Sequence, residues 1–281
     1  MAGSKFAYVK NFELPDPLLP GTFMVLRVDG HAFHRLSEEH NFTKPNDERA
    51  LQLMDHAARD VMNEFKDIVL AFGESDEFSF LFRKSTTLYN RRQAKILTTV
   101  TSIFTSSYVY NWPKYLPNTP LKYPPSFDGR IVLYPSAKDV RNYFSWRQAD
   151  THINNLYNTV FWALVLQGGE TTTQAHATLR GTVSSTKHEM MFSRFGINYT
   201  DISPRYRKGS ILVRMEIPPE PEADVEPASG KISEVIESGA DPTSKPKTAK
   251  KNVKIRTFIE LLHCDLIGDE FWEARPHLLS E

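Results

Sequence analysis

Apolar and polar positions change period several times along this chain, and each change marks an element. FMVLRV, Phe23 to Val28, is a β-rich apolar run that ends at Asp29-Gly30, so it predicts a strand running into a turn. In KPNDERALQLMDHAARDVMNEF the spacing becomes helical, with Leu51, Met54, Ala58, Val61, Met62 and Phe65 on one side and Asn46 or Asp47 placed as the N-cap. DIVLAF and EFSFLF read as two short strands joined through GESD into a hairpin. Arg91 to about Tyr110 predicts a second helix, with Ala94, Leu97, Val100, Phe104 and Tyr108 turned inward. RIVLY, Arg130 to Tyr134, is a further β-rich run after the proline-rich KYPPSFDG. Beyond Ser136 the pattern is helical: one helix from about Asp150 to Leu166, stopped by Gly168-Gly169, and another starting near Thr186. ILVRMEI, Ile211 to Ile217, is a late strand.

The order strand, helix, strand, strand, helix, strand is the α+β, ferredoxin-like βαββαβ arrangement, which also underlies polymerase palm domains. It predicts that the end of the first strand and the tip of the central hairpin lie close together. We expect a palm-like domain over 1–135, a helical extension over 136–217, a linker or insertion rich in Pro, Glu, Ser and Lys over 218–252, and a tail over 253–281 that packs back.

Composition narrows the function classes. Of 281 residues, 40% are hydrophobic and 24% charged, as in an ordinary globular protein, and the formal net charge is zero, so any polyanion must be held by local clusters. Cys264 stands alone, which excludes an internal disulfide framework and a cysteine-rich zinc site. No run approaches the roughly 18 apolar residues of a membrane span, and MAGSKFAYVKNFELPDP lacks the apolar stretch of a signal peptide. The expected setting is soluble and intracellular, the cytoplasm first and the nucleus second.

The candidate chemistry begins with FGESDEFSFLF, where Glu74, Asp76 and Glu77 sit amid apolar neighbours. Asp29 ends the first strand and Asp76 lies at the hairpin turn. Two converging carboxylates repel one another unless a cation lies between them. Magnesium takes carboxylate oxygens and fills its shell with water and substrate phosphates. Two such ions about 3.5–4 Å apart can clamp an in-line phosphoryl transfer. Gly30 would let the backbone present its carbonyl. Glu77 is a third catalytic candidate, but on an extended strand it points away from Asp76, so a structural role stays open. Taken singly, each acid reads better as a turn residue facing water; the two converging strand-end acids favour the metal. Arg91, Arg92 and Lys95 open the second helix and Lys44 precedes the first, positions where a phosphate would meet both cations and free N–H groups. A solvated helix face is the plain alternative. Ser75 either donates to a phosphate or closes the turn, and Arg130 is ambiguous. His152, Asn155 and Thr159 share a helix face, with Asn158 beside it, as readers of a base or ribose or as bonded core partners. No Walker-A loop or G-x-G-x-x-G occurs. Lys245, Lys247, Lys250, Lys251 and Lys254 form a basic run that is either RNA-facing or solvated linker.

RVDGHAFHRLSEEHNFTKPND, GESDEFSF and RQADTHINNLYNTVFWAL, in this order, resemble the tRNA(His) guanylyltransferase family of 3′-to-5′ polymerases, as do FDGRIVLYPS, KHEMMF, YRKGS and HCDLIGDEFWEARP. The resemblance spans all but the 218–252 segment. It implies guanylate addition to the 5′ end of histidine tRNA. ATP first adenylylates the 5′-monophosphate; the GTP 3′-hydroxyl then attacks that end and expels AMP; pyrophosphate is finally removed. It implies magnesium (two ions) held by Asp29, the Gly30 carbonyl and Asp76. It further implies nucleotide contacts at His31, Ala32, Phe33, His34, Lys44, Asn46, Asp47, Ser75, Arg92, Lys95, Arg130 and Asn158. His152 and Lys187 would serve the tRNA, the anticodon would be read remotely, and the assembly would be a homotetramer. His31 stands where the motif leads one to expect arginine, which weakens any anion contact there. A palm-fold nucleotidyl cyclase or a non-catalytic RNA-binding palm module are the alternatives.

Overall fold

A computed structural model describes residues 4–216 and 256–280. Contacts divide the chain into a large unit, Met1–Arg214 with Ile259–Glu281, and a small one, Met215–Phe258, whose described residues are the ends of two strands. The segment 218–252 and the lysine run from Lys245 to Lys254 lie outside the described residues.

The elements run β1 (Phe23–Gly30), α1 (Phe33–Glu39), α2 (Glu48–Glu64), β2 (Ile68–Glu74), β3 (Glu77–Phe82), α3 (Gln93–Tyr115), β4 (Phe127–Tyr134) and α4 (Ala137–Leu166). There follow α5 (Thr172–Leu179), α6 (Ser184–Phe195), α7 (Pro204–Lys208), β5 (Ser210–Glu216), β6 (Thr257–Leu262) and α8 (Glu270–Glu273). The result is a mixed α/β structure whose sheet has the order β4-β1-β3-β2-β5-β6. β1 pairs antiparallel with β3 and β4, and β2 with β3 and β5.

Both faces of the central strands are covered, which is why EFSFLF is buried at every position instead of alternating. Met24, Leu26 and Val28 of β1 and Phe78, Phe80 and Phe82 of β3 pack with Leu53, Ala57 and Val61 of α2 and Val100 and Phe104 of α3. The Val, Leu, Met and Phe side chains among these each contribute about 1.5–3 kcal/mol by leaving water. The opposite face of β3 carries Glu77 and Ser79, and α4 covers it: the Ser79 and Tyr143 hydroxyls are 2.7 Å apart.

Several elements differ from the expected pattern. α4 starts at Ala137, well before Asp150, with the Ser136 hydroxyl accepting from the Asp139 N–H at 3.2 Å. Its first half hides its period because Arg147 and Gln148 are buried polar residues on the inner face. α1 buries only Leu36, and α5 only Ala175 and Leu179, so neither is long enough to announce itself by spacing. α3 begins after a kink in which Tyr89, Asn90 and Arg91 have positive φ; Ala94 is consequently exposed and Ile96 buried in its place, while Val100, Phe104 and Tyr108 do face the core. The C-terminal tail supplies β6 and buries Leu266, Phe271 and Trp272. It is tied to α4 by the Gln148 amide, which donates to Cys264 O at 2.9 Å and accepts from Leu266 N–H at 2.6 Å.

The tie between α4 and the sheet is ionic. Arg147 donates to both Glu77 oxygens, at 2.7 and 3.1 Å, and Arg27 of β1 reaches the same carboxylate at 3.4 Å. Burial pushes the Glu77 carboxyl up to about 7 against the pull of Arg147 and Arg27. One turn on, Thr151 and Asn154 donate to Glu74 at 2.7 and 3.1 Å. Removing one partner of a buried pair leaves the other charge uncompensated. Arg147→Met is therefore expected to lower unfolding stability by about 3 kcal/mol in urea titration, and Glu77→Gln in the same chain to restore part of that loss.

Candidate active site

Side chains alternate along a strand, so Asp29 shares a sheet face with Arg27, while Gly30 falls on the α2/α3 side. Gly30 has no room for a side chain: a Cβ there would lie 2.4 Å from the Phe33 ring. Its N–H donates to Asp76 O at 3.0 Å, which fastens the end of β1 to the hairpin tip. The tip is the two-residue link Ser75-Asp76, with Ser75 at φ 50°. Glu74 and Glu77 on either side are drawn to α4 by the bonds described above, and Asp76 is the acid left to face the open side. It lines a cavity of about 590 Å³ together with Gly30, Ser75, Lys44 and Asn158.

Burial pushes the Asp76 carboxyl up; bonds from its own N–H and the Ser75 hydroxyl oppose that shift, and the charge of Asp29 adds to it. The two strand-end carboxylates thus feel one another as like charges. Among the described residues no group of three or more His, Cys, Asp or Glu converges. The donor set at this point is two carboxylates with the Gly30 carbonyl beside them. Hard oxygen donors with open positions suit magnesium, which keeps waters and takes phosphate oxygens.

The other residues named from sequence fall into three groups. Ala32, Phe33, His34, Lys44, Asn46 and Asp47 line the same cavity as Asp76. Asp47 caps α2, accepting from Arg49 N–H at 3.1 Å, and also accepts from Thr43 N–H at 3.0 Å. Burial acts to raise Asp47, yet the bonds from Arg49 and Thr43 hold it below the usual carboxylate range. Asn46 donates to Asn155 of α4 at 3.0 Å, closing the α1–α2 loop over the cavity, and Lys44 donates to Ser37 at 2.9 Å.

A second group lies apart from the cavity. The N-terminus of α3 is already taken by an internal anion: Asp16 accepts from Ala94 N–H at 2.8 Å and meets Arg92 at 3.4 Å. Arg91 is buried and bonded to Leu18 O and Thr22, and the Lys95 ammonium lies 4.6 Å over the Tyr89 ring. Arg130 is exposed on β4 opposite Arg27, and the His31 N–H donates to Ser126 O at 2.9 Å.

The third group sits on the helical side. His152 packs edge-on to Tyr199 with ring centres 5.3 Å apart, and burial, then the charge of His188, pulls its pKa down. Lys187 donates to Thr182 O at 2.8 Å. Asn155 and Thr159 are buried and bonded internally, so they are core partners. What the sequence did not single out is an aromatic wall, Tyr157, Phe161, Trp162 and His176, on α4 and α5. The phrase LYNTVFW carried the signal, masked by its reading as a core helix.

With this geometry in hand, comparison with known proteins is decisive. The profile described as tRNAHis guanylyltransferase matches residues 6–135, and that of the Thg1 C terminal domain matches residues 138–268. A tRNA(His) guanylyltransferase of Neurospora crassa is 50% identical over 290 residues, covering 100% of this chain and 97% of its own. The chain belongs to the tRNA(His) guanylyltransferase family. A probable tRNA(His) guanylyltransferase of Mus musculus is also 50% identical, over 282 residues, covering 100% of this chain and 90% of its own. The crystal structure of the Saccharomyces cerevisiae tRNA(His) guanylyltransferase superposes with a TM-score of 0.72 at 48% identity, over 74% of this chain and 93% of that one. A bacterial Thg1-like protein in complex with ATP shares the fold at a TM-score of 0.61 and 22% identity, over 73% of this chain and 85% of its own.

In this guanylyltransferase family member the burial of the Asp76 carboxyl, to which the charge of Asp29 adds, has a consequence for stability. A carboxyl whose folded pKa is raised stabilises the fold below its unfolded pKa, and that contribution is lost as pH rises through the folded value. At neutral pH and without divalent cations, Asp76→Asn is therefore expected to raise the thermal midpoint. The gap to the unsubstituted chain should close as pH falls toward the ordinary carboxylate range, measured by calorimetry in EDTA.

Proposed function

We propose that this protein adds a guanylate to the 5′ end of histidine tRNA, and that the end of β1 and the β2–β3 tip form its catalytic centre. The observation that carries the reading is Asp76, fastened to the end of β1 by the Gly30 N–H bond and opening on the 590 Å³ cavity, with Asp29 next to Gly30 and near enough to add its charge to that of Asp76. The strand order β4-β1-β3-β2, with α2 and α3 on one face, supports a ferredoxin-like palm over 1–135, with the helical segment 136–217 completing the cavity.

The residues fit magnesium: Asp29, Asp76 and the Gly30 carbonyl would hold it. Bound there, it would supply positive charge to the phosphate oxygens of an in-line displacement. The chain's own part is positioning. Ser75 stands at the cavity edge, where its hydroxyl bonds to the Asp76 carboxyl and would turn to a phosphate oxygen only when a cation takes Asp76, and Lys44 offers an ammonium from the α1–α2 loop. Phe33, Phe42, Leu51 and Met54 give an apolar floor for a base. In the proposed sequence an oxygen of the tRNA 5′-monophosphate attacks the α-phosphorus of ATP and releases pyrophosphate. The GTP 3′-hydroxyl then attacks the tRNA 5′-phosphorus, losing its proton, and AMP leaves. Water finally removes pyrophosphate from the new 5′-triphosphate. No side chain becomes covalently bonded, so rate enhancement comes from alignment and charge stabilisation. His152 and Lys187 are assigned to the tRNA, and the assembly to a homotetramer, for which exposed Phe12, Leu14 and Tyr110 are available contact residues.

The test uses 5′-monophosphorylated histidine tRNA with ATP, GTP and magnesium. Adenylylated tRNA and a product one nucleotide longer at the 5′ end are expected. Asp29→Ala and Asp76→Ala should each lose about 10³-fold in rate, the upper scale for removing a principal charge stabiliser, with circular dichroism unchanged. Extension by Asp76→Ala at the unsubstituted rate would defeat the assignment.

A further inference from the structure

The cavity has two apolar regions on different elements. One is the floor of Phe33, Phe42, Leu51 and Met54 near the acidic end. The other is the aromatic wall on α4 and α5, away from the acidic end. α5 exists to present that wall. Thr171 and Gln174 form a capping box that starts the helix, and Ala175 and Leu179 bury into the cluster of Leu156, Val160, Leu164 and Met191. His176 is thereby held exposed, facing α4.

The rings there are arranged as a shelf. Tyr157 and Phe161, one helical turn apart, are nearly parallel, at 13° with centres 6.2 Å apart. His176 lies 4.5 Å from Phe161 and 6.3 Å from Tyr157, inclined by 38° and 26°. The Tyr157 hydroxyl and His176 Nδ1 are 2.8 Å apart, which fixes the imidazole's orientation. Two ammonium groups flank the rings: Lys44 lies 5.5 Å from the Trp162 ring centre and Lys187 lies 6.0 Å from that of Tyr157. Aromatic faces beside cations are how proteins hold unpaired nucleotides, the rings taking the base and the cations the backbone phosphate.

The proposed reaction brings two nucleotides together, the attacking GTP and the activated 5′ end, so a cavity with one base site would be incomplete. We propose that the shelf of Tyr157, Trp162 and His176, backed by the buried Phe161 ring, stacks the nucleobase of the activated 5′ end during guanylate transfer, an inference that rests on the function proposed above. That end carries two nucleobases, the adenine of its adenylate and the first base of the tRNA. The recognised chemistry, a π-face next to a phosphate, is common to both.

The test uses the full chain with His176→Ala and His176→Phe, both on an exposed helix position and both expected to keep the thermal midpoint. Guanylate transfer is followed on pre-adenylylated tRNA and on 5′-triphosphorylated tRNA, whose leaving group carries no base. His176→Ala should raise KM for the acceptor about tenfold with kcat and the KM for GTP unchanged, and His176→Phe should restore it. A rise on adenylylated tRNA alone places adenine on the shelf, and a rise on both substrates places the first tRNA base there. Unchanged KM on both, or a rise confined to GTP, overturns the proposal while leaving guanylate addition intact. Trp162 emission gives an independent readout, assigned by loss of the signal in Trp162→Phe. AMP and GMP should quench it in the unsubstituted chain and less in His176→Ala. Absent quenching by both nucleotides overturns the shelf, whereas quenching without any tRNA extension removes the guanylyltransferase reading alone.

Discussion

The arrangement depends on how four polar residues in a row, Glu74, Ser75, Asp76 and Glu77, are divided between two sides of one hairpin. A carboxylate at the heart of an apolar sheet must find a partner or shed its charge. Glu77 finds Arg147 and Arg27, and Glu74 finds Thr151 and Asn154. Those bonds set α4 against the sheet, and α4 in turn supplies one wall of the cavity. Asp76 is excluded from this settlement because it sits in the two-residue turn, where the chain reverses and its side chain leaves the α4 face. Burial raises its pKa as it raises those of Glu74 and Glu77, but no guanidinium pulls it back. One hairpin thus both fastens α4 to the sheet and leaves one acid lining the cavity.

The same division explains how two stretches far apart in sequence meet. The loop carrying Lys44, Asn46 and Asp47 is held at its C-terminal end by the α2 cap at Asp47 and, one residue earlier, by the bond from Asn46 to Asn155. α4 therefore contributes to the cavity indirectly, by receiving the loop, and directly, through its aromatic residues. An enzyme that aligns two nucleotides needs such fixed walls, because little of its rate enhancement comes from covalent chemistry.

Much of this was legible in the sequence. The β1 strand, the α2 cap at Asp47 and the GESD hairpin were each set by short-range rules, so local chemistry located Asp29 and Asp76. The cations were harder to place. Arg92 and Lys95 looked like a phosphate site at a helix N-terminus, but Asp16, nearly eighty residues earlier by the measured separation of 78 from Ala94, already fills it. No local pattern reports such a long-range tenant. The first half of α4 was hidden because its inner face carries Arg147 and Gln148, which break the apolar period while being buried by ionic and amide bonds. The aromatic shelf escaped because its backing residue Phe161 is a buried core residue like its helical neighbours, and His176 comes from a helix that buries only Ala175 and Leu179.

The central claim is that Asp29 and Asp76 together hold a divalent cation. It is tested most directly by counting bound Mn²⁺, in place of magnesium, by electron paramagnetic resonance on the full chain with GTP present. Binding by the unsubstituted protein and its loss in both Asp29→Ala and Asp76→Ala is the predicted result. Undiminished Mn²⁺ binding in either folded variant would contradict the account.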